Sequence, residues 1–155
     1  MMPSRLDDTD TILVNELQRD ARQTNRALSA KVGLAPSTTL TRVRDLERRG
    51  AITGYHADVD LAALGRGVQA LVFVRLQPKN DRTVGRFTEH IWTMPETIAV
   101  HLITGIEDVL VHVAVADTES LQRAVLNQIS NFPGVVDERT SLVFQHRRKS
   151  QIGPL

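Results

Sequence analysis

The hydrophobic positions in the first third of the chain repeat every three or four residues, which is the period of an amphipathic helix. The pattern predicts three short helices between residues 6 and 56. Asp7 stands where a side-chain cap is expected on the first helix, and a carboxylate is stabilising at that positive end. The buried faces predicted for the three helices are Ile12, Leu13 and Leu17; Ala27, Leu28 and Val32; and Leu40, Val43 and Leu46.

The second and third helices are separated by the residues of a tight turn. Thr24 is suited to cap the second helix, and Gly33 supplies the backbone freedom that a sharp turn needs. Pro36 suits the first turn of the third helix, where its missing N–H is no loss, and Gly50 ends that helix. This succession predicts a helix-turn-helix.

The polar side of the third helix indicates a surface that binds DNA. Small hydroxyl groups near the start of a recognition helix fit against base edges, and arginines bind guanine or phosphate. The residues expected to read bases are Ser37, Thr38, Thr41 and Arg42. The residues expected to hold phosphates are Arg44, Arg48 and Arg49. An ordinary helical hairpin with a solvated, charged outer face is the alternative interpretation.

A period of two residues replaces the helical period from Val68 onward, and the order β-α-β-β-α-β is typical of a ferredoxin-like domain. The predicted strands are 68–77, 97–104, 108–116 and 135–145, and the predicted helices are 80–94 and 118–131. We therefore expect an α+β chain with a (winged) helix-turn-helix domain at 1–56, a linker at 57–67, a ferredoxin-like βαββαβ domain at 68–149 and a tail at 150–155. A short strand or wing is expected within residues 51–67.

The strands of the second domain indicate that the protein dimerises. Both helices of such a domain pack on one face of the sheet, so that the other face stays open in a monomer. That other face carries apolar residues such as Leu71, Phe73 and Leu110. Because soluble proteins rarely expose a broad apolar face, we expect two copies to pack sheet to sheet. A dimer is also what a helix-turn-helix needs to reach two half-sites.

Composition narrows the class of protein. The chain has 155 residues, 41% of them hydrophobic, which is enough for a packed core, and it has no cysteine for a disulfide or a thiolate metal site. No apolar run is long enough to span a membrane, and the N-terminus lacks an apolar signal core, so we expect a cytoplasmic protein. Residues 1–56 carry nine Lys and Arg against seven Asp and Glu, so the expected DNA-binding domain has a small basic excess. Such a domain binds DNA weakly on its own, which again favours a dimer.

Other chemistry finds little support in the sequence. The chain has no phosphate loop, no nucleophile elbow, no zinc-protease motif and no dinucleotide fingerprint, so we do not expect an enzyme or a cofactor. His101 and His112 would face each other across two strands if residues 106–107 formed a two-residue hairpin loop, but a zinc site needs further ligands, and we expect no metal. An architectural DNA binder that ignores small molecules is the other class that the sequence leaves open; the basic residues 147–149 fit it, although they also fit a solvated end.

The chain resembles the Lrp/AsnC (feast/famine) family of transcriptional regulators from Leu6 to about Lys149. In the first domain, the residues that carry the resemblance are Leu6, Asp7, Asp10, Ile12, Leu13, Leu28, Ser29, Val32, Gly33, Leu34, Arg42, Val43, Leu46, Glu47, Gly50, Ile52, Gly54 and Tyr55. In the second domain, they are Thr104, Gly105, Asp108, Pro133, Gly134, Val135 and Thr140.

The resemblance implies a DNA-binding regulator that dimerises, assembles further into tetramers or octamers, and responds to a small amino acid bound between its ferredoxin-like domains. It places Thr104, Gly105 and Asp108 at the effector site, with the Asp108 carboxylate accepting from an ammonium group. Residues that would shape the same pocket are Leu102, Ser141 and Leu142. A plain hairpin turn is the alternative interpretation of Gly105 and Asp108, since both residue types are common in turns.

One position departs from the family pattern. The residue before the proline of the recognition helix is commonly serine in the family, whereas here it is Ala35, which cannot cap. Ser37 could then cap from two residues later, which would start the helix late and remove that hydroxyl from the base-reading set.

Overall fold

A computed structural model of the protein describes residues 6–154. The first five residues of the expected DNA-binding domain and the last residue of the expected tail lie outside this range. The chain divides into two compact units. The helical unit contains the residues up to Ala57 together with those from Arg147 onward, and the sheet unit contains Asp58–His146.

Three helices build the helical unit: α1 (Asp8–Arg19), α2 (Asn25–Val32) and α3 (Pro36–Arg48). Their apolar faces meet in one small core, as the spacing predicts. The buried members of this core are Leu13, Leu17, Leu28 and Leu46, with Leu6, Val14, Val32, Val43 and Ile52 packed around them.

Side-chain caps fix where these helices begin. The Asp7 carboxylate accepts a bond of 2.7 Å from the backbone N–H of Asp10, and the Thr24 hydroxyl accepts one of 3.2 Å from a backbone N–H of α2. Gly33 ends α2 in the left-handed conformation, with φ of 68°. The late start expected for α3 is wrong: this helix begins at Pro36 without a side-chain cap, because the proline already holds the helical φ.

The buried side of α3 differs by one residue from the predicted stripe. Thr39 is fully buried, while Leu40, assigned to the core from the sequence, has 39% of its surface exposed. The Thr39 hydroxyl donates to the Ala35 carbonyl oxygen at 3.2 Å, so its polar group is satisfied inside the protein. This shift turns Arg42 toward the rest of the domain.

The predicted wing is absent: residues 51–67 contain no strand. The backbone N–H groups of Ala51 and Ile52 both donate to the Leu46 carbonyl oxygen and close the end of α3, at 2.9 and 3.1 Å. A strand needs a partner for its hydrogen bonds, and the described residues of the helical unit include no strand that could supply one. Residues 61–65 form turns instead.

The sheet unit has the predicted order β-α-β-β-α-β, which confirms the ferredoxin-like fold. Its elements are β1 (Val68–Leu76), α4 (Asp81–Thr93), β2 (Thr97–Leu102), β3 (Val109–Val115), α5 (Thr118–Ala124), which continues as a π-helical segment (Val125–Ser130), and β4 (Val135–Leu142). The four strands are antiparallel in the order β2-β3-β1-β4. The edge strands are therefore β2 and β4.

Alternating residues of the two central strands form the inner face of the sheet, against both helices. Val72 and Val74 of β1 and Val111 and Val113 of β3 are fully buried, with Phe87 of α4 packed in the same core. The period of two residues that begins at Val68 predicted this alternation from the sequence. Burial of several branched side chains of this size supplies the main stabilisation of the unit.

The outer face of the sheet has no helix on it. Leu71 and Phe73 of β1 lie opposite His112 and Leu110 of β3, and all four side chains are only partly buried. We call the outer-face positions of the four strands the open face. The pairing expected between His101 and His112 is wrong: the connection from Leu102 to Val109 is longer than a two-residue loop, so His101 pairs with Leu110.

Gln151 and Ile152 lie against α1. The Gln18 side chain makes two bonds to Ile152: its Oε1 accepts from the backbone N–H at 2.9 Å, and its Nε2 donates to the carbonyl oxygen at 3.0 Å. Gln151 donates to the Asn15 carbonyl oxygen at 3.2 Å. The C-terminal segment is thus part of the helical unit, while the basic residues 147–149 are exposed.

Candidate functional site

The outward side of α3 carries a row of small hydroxyls followed by arginines. Ser37, Thr41, Arg44 and Arg48 follow one another at helical spacing, and all four are exposed. Thr38 lies beside them and is exposed too. Among the described residues, Arg44 has no ion-pair partner, whereas Arg48 shares its charge with Asp45 of the same helix. Arg44 therefore keeps its full charge on the outer side of α3.

The start of α3 is held against α2. The Asn25 side chain donates to the Pro36 carbonyl oxygen at 2.7 Å and so ties the first turns of the two helices together. The Thr41 hydroxyl donates to the Ser37 carbonyl oxygen at 3.0 Å, and its lone pairs stay available to an outside donor. From the sequence Asn25 could be assigned only a capping role, because its partner is eleven residues away.

Two of the seven residues predicted to contact DNA lie instead against α1. Arg42 Nη1 donates to Asp7 at 2.7 Å and to Asp10 at 2.8 Å, and these two hydrogen bonds raise the pKa of Arg42. Arg49 pairs with Asp10 at 2.9 Å and with Asp45 at 2.7 Å. The structure therefore brings together Ser37, Thr38, Thr41, Arg44 and Arg48 on the outer side and separates Arg42 and Arg49 from them.

The residues expected at the effector site belong to the connection between β2 and β3 and to β4. Gly105 has φ of 142°, a value that L side chains rarely adopt, and the space where a Cβ would stand is open. Thr104 precedes it, beyond the end of β2, and Leu102 is largely exposed on the edge strand. The 103–108 connection is therefore an accessible turn that ligand atoms can approach closely.

Asp108 is buried at the base of this turn, with 5% of its surface exposed. Its Oδ2 accepts from the Leu76 backbone N–H at 2.9 Å, and its Oδ1 lies 2.5 Å from Lys79 Nζ. Burial raises the pKa of this carboxyl, but the Leu76 hydrogen bond and Lys79 outweigh burial, so the pKa lies below its ordinary value. The sequence did not indicate Lys79, and Asp108 has a charged partner before any effector binds.

Ser141 and Leu142 do not lie near the Gly105 turn in one chain. They belong to β4, at the opposite edge of the sheet from β2, with β3 and β1 between. The turn does reach β4 through another pair, since Glu107 accepts from Arg139 at 3.1 Å. The guanidinium of Arg139 also lies 4.5 Å from the centre of the Phe73 ring, on the open face.

Histidines also lie on the open face. His112 bonds Gln69 through Nε2 at 3.0 Å, and its ring centre is 6.0 Å from that of His146. Burial, with the neighbouring His146 and His101, lowers the pKa of His112. Residues 6–154 contain no group of three or more side chains that could hold a metal ion, and no helix in that range is long and apolar enough to cross a membrane.

The two halves of the chain match two family models. Residues 6–53 match the winged helix-turn-helix DNA-binding model, and residues 69–151 match the Lrp/AsnC ligand-binding domain. The chain belongs to the Lrp/AsnC family. As a member, it is a DNA-binding transcriptional regulator with a ligand-binding domain, and it is not an enzyme.

Several Lrp/AsnC proteins are similar over nearly the whole chain. The HTH-type transcriptional regulator AldR of Mycolicibacterium smegmatis is 41% identical, covering 92% of this chain and 84% of its own length. The leucine-responsive regulatory protein of Escherichia coli is 33% identical, covering 94% of this chain and 88% of its own length. A regulator from Neisseria meningitidis, solved with L-Met, has 29% identity and a TM-score of 0.85 and covers 94% of both chains.

Replacing Asp108→Asn should destabilise the protein more at pH 7 than at pH 3. The folded-state pKa of Asp108 is lowered from 3.8, so its contribution to the free energy of unfolding is complete above that value and is lost as the pH falls through the folded pKa. Urea unfolding of both proteins at the two pH values measures the difference. An equal loss of stability at pH 7 and pH 3 would contradict the ionised pair with Lys79.

Proposed function

We propose that this Lrp/AsnC regulator reads operator DNA with the outer side of α3 and that an amino acid bound to the sheet unit changes its assembly and operator affinity. The observation that carries the DNA-binding surface is the exposed row of Ser37, Thr41, Arg44 and Arg48 on the second helix of a helix-turn-helix. Hydroxyls near the start of the helix suit base edges, and the arginines beyond suit phosphates. Thr38 extends the same surface, whereas Arg42 and Arg49 are not part of it because both are bonded to Asp10 of α1.

Two copies of the chain act together in this proposal. One copy offers few unpaired arginines to DNA, and affinity grows with the number of phosphates contacted. The open face supplies a surface for pairing, since Leu71, Phe73 and Leu110 lie on it and are only partly buried. A two-fold dimer would bury this face and present two copies of α3 to successive major grooves. Assembly into tetramers or octamers of such dimers would build on the same unit.

The effector site proposed here is completed between copies. Gly105 and Thr104 lie at one edge of the sheet and Ser141 and Leu142 at the other, so one chain does not assemble all of them. Contact between sheet units of different chains can bring the two edges together. An effector bound at such a junction favours one assembly over another, and it changes operator affinity only as far as it binds the two assemblies differently.

An amino acid is the class of effector that we propose. The Neisseria meningitidis structure contains L-Met, and the E. coli relative is named leucine-responsive. A turn with an open glycine suits the approach of a small zwitterion to backbone groups. In this role Asp108 acts mainly by holding the base of the turn, because its carboxylate is buried and paired with Lys79. The regulator would act in the cytoplasm, where operators and free amino acids meet.

Replacing Arg44→Ala should weaken binding to every DNA duplex and lower the salt dependence of log K by about one. The reason is that Arg44 is an exposed arginine of α3 without an ion-pair partner among the described residues. Fluorescence anisotropy with labelled duplex at several salt concentrations measures both effects. Arg86→Ala, an exposed arginine of α4, is the control and should bind as the wild type does. If Arg44→Ala weakened binding to one DNA sequence only and left the salt dependence unchanged, the phosphate role would be contradicted.

Replacing Leu110→Asp should convert the dimer to monomers, because a charge would then stand in the middle of the open face. Sedimentation equilibrium measures the molar mass. Trp92→Asp adds the same charge at a position with 69% exposure on α4 and should leave the dimer intact. A dimer that survives Leu110→Asp would contradict pairing through the open face.

A thermal-shift screen against the twenty amino acids should find one that raises the melting temperature, since a ligand at 100 times its Kd adds about 2.7 kcal/mol of stability. Gly105→Ala should remove this shift, because the added Cβ is strained at φ of 142° and obstructs the turn. Gly65→Ala, at φ of 73° and also in open space, adds a methyl group at another glycine of positive φ away from the turn and should keep the shift. Twenty negative results, or a shift that Gly105→Ala retains, would contradict the effector proposal.

A further inference from the structure

A buried carboxylate joins the recognition helix to the first helix of the domain. Asp10, in the first turn of α1, has 5% of its surface exposed. Its two oxygens accept from two different arginines: Oδ1 from Arg42 of α3 at 2.8 Å and Oδ2 from Arg49, just after the end of α3, at 2.9 Å. Each oxygen of a buried carboxylate needs a hydrogen-bond partner, and here both partners are arginines.

Each arginine has a second acidic partner. Arg42 also bonds Asp7, the cap of α1, at 2.7 Å, and Arg49 also bonds Asp45 at 2.7 Å. Arg42 lies in the middle of α3 and Arg49 just after its end, so the two attachments are about two helical turns apart. Two attachment points at this separation fix both the tilt and the rotation of α3 about its axis. We call this arrangement the Asp10 clamp: Asp7, Asp10, Arg42, Asp45 and Arg49.

We propose that Asp10 and Arg42 are positioning residues for operator recognition: they hold α3 at the angle that brings its outer side to the base edges, and Arg42 itself contacts no base. The proposal rests on the proposed DNA-binding function. Base readout depends on the placement of side chains within the groove, whereas non-specific binding depends mainly on charge near phosphates. Loss of the clamp should therefore reduce selectivity between sequences more than general affinity for DNA.

A direct role for Arg42 on DNA makes the opposite prediction. If Arg42 contacted DNA and Asp10 only competed with the DNA for it, then neutralising Asp10 would free Arg42 to bind DNA. Binding would then become tighter, and the salt dependence steeper. If Asp10 positions α3, the same change leaves α3 held less firmly, and binding to the preferred sequence becomes weaker. The sign of the effect of Asp10→Asn therefore separates the two roles.

The experiment uses the full chain and two labelled duplexes, one enriched by the wild type from a random pool and one a scrambled version of it. We expect Asp10→Asn and Arg42→Gln each to lower affinity for the enriched duplex about tenfold and for the scrambled duplex less than about twofold, with an unchanged salt dependence. Because both act through one contact, the double variant should lose little more than either single variant. Arg42→Lys keeps a charge beside Asp10 and should recover part of the selectivity.

Controls separate positioning from simple loss of stability. Leu13→Val removes one methylene from the fully buried core of the same unit and leaves every charge in place. All binding is measured at a temperature where circular dichroism shows each variant folded. Leu13→Val should then keep the wild-type ratio of affinities for the two duplexes.

Three results would overturn the proposal. Tighter binding by Asp10→Asn, or a salt dependence lowered by about one in Arg42→Gln, would assign Arg42 to the DNA. If Leu13→Val lost selectivity to the same extent, the effect of the clamp variants would be explained by lost stability of the helical unit alone. Wild-type selectivity in Asp10→Asn would show that α3 needs no clamp. If the wild type enriches no duplex at all, the proposed function fails first, and the role of the clamp in recognition fails with it.

Discussion

The sheet of this protein is covered by helices on one face only, and much of the molecule follows from that constraint. The inner face, with Val111 and Phe87, is a packed core that holds the four strands together. The outer face, with Leu71 and Leu110, combines apolar side chains with arginine and histidine and has no helix over it. A surface of this kind is suited to a second copy, and in the proposed assembly a second copy would also bring together edge residues that one chain keeps apart. If contacts between copies can change, a small molecule that binds one arrangement better than another can regulate the protein.

Part of the charge in the helical unit is used inside the unit. Asp10 pairs with Arg42 of α3 and with Arg49 just after its end, and Asp45 takes part of the charge of Arg48. On the outer side of α3, Arg44 has no ion-pair partner among the described residues. In the proposed function, a small number of unpaired arginines per copy suits a regulator whose affinity comes from assembling several copies, because a ligand can change the assembly but not the charge of a side chain.

The sequence was informative where a local signal decides the structure. Caps such as Asp7 and Thr24 and the valine alternation of β3 predicted the helices and the sheet to within a few residues. It was misleading where partners are distant. Thr39 is buried although threonine is polar. The sequence pattern therefore places the buried face of α3 about one residue away from its position in the structure, and it predicts that Arg42 contacts DNA rather than Asp10. The strand register at His101 depends on a loop length that alternation alone does not determine.

The path of the chain has a consequence for the order in which the protein is made. The helical unit contains α1 to α3 and the segment around Ile152, which the Gln18 side chain holds by two hydrogen bonds, while the whole sheet unit is encoded between them. During synthesis the three helices leave the ribosome first, and domains generally fold as they emerge. Their final contacts nevertheless wait until the last strand has been translated. A nascent chain therefore completes the surface of α1 only once its ligand-binding domain is present.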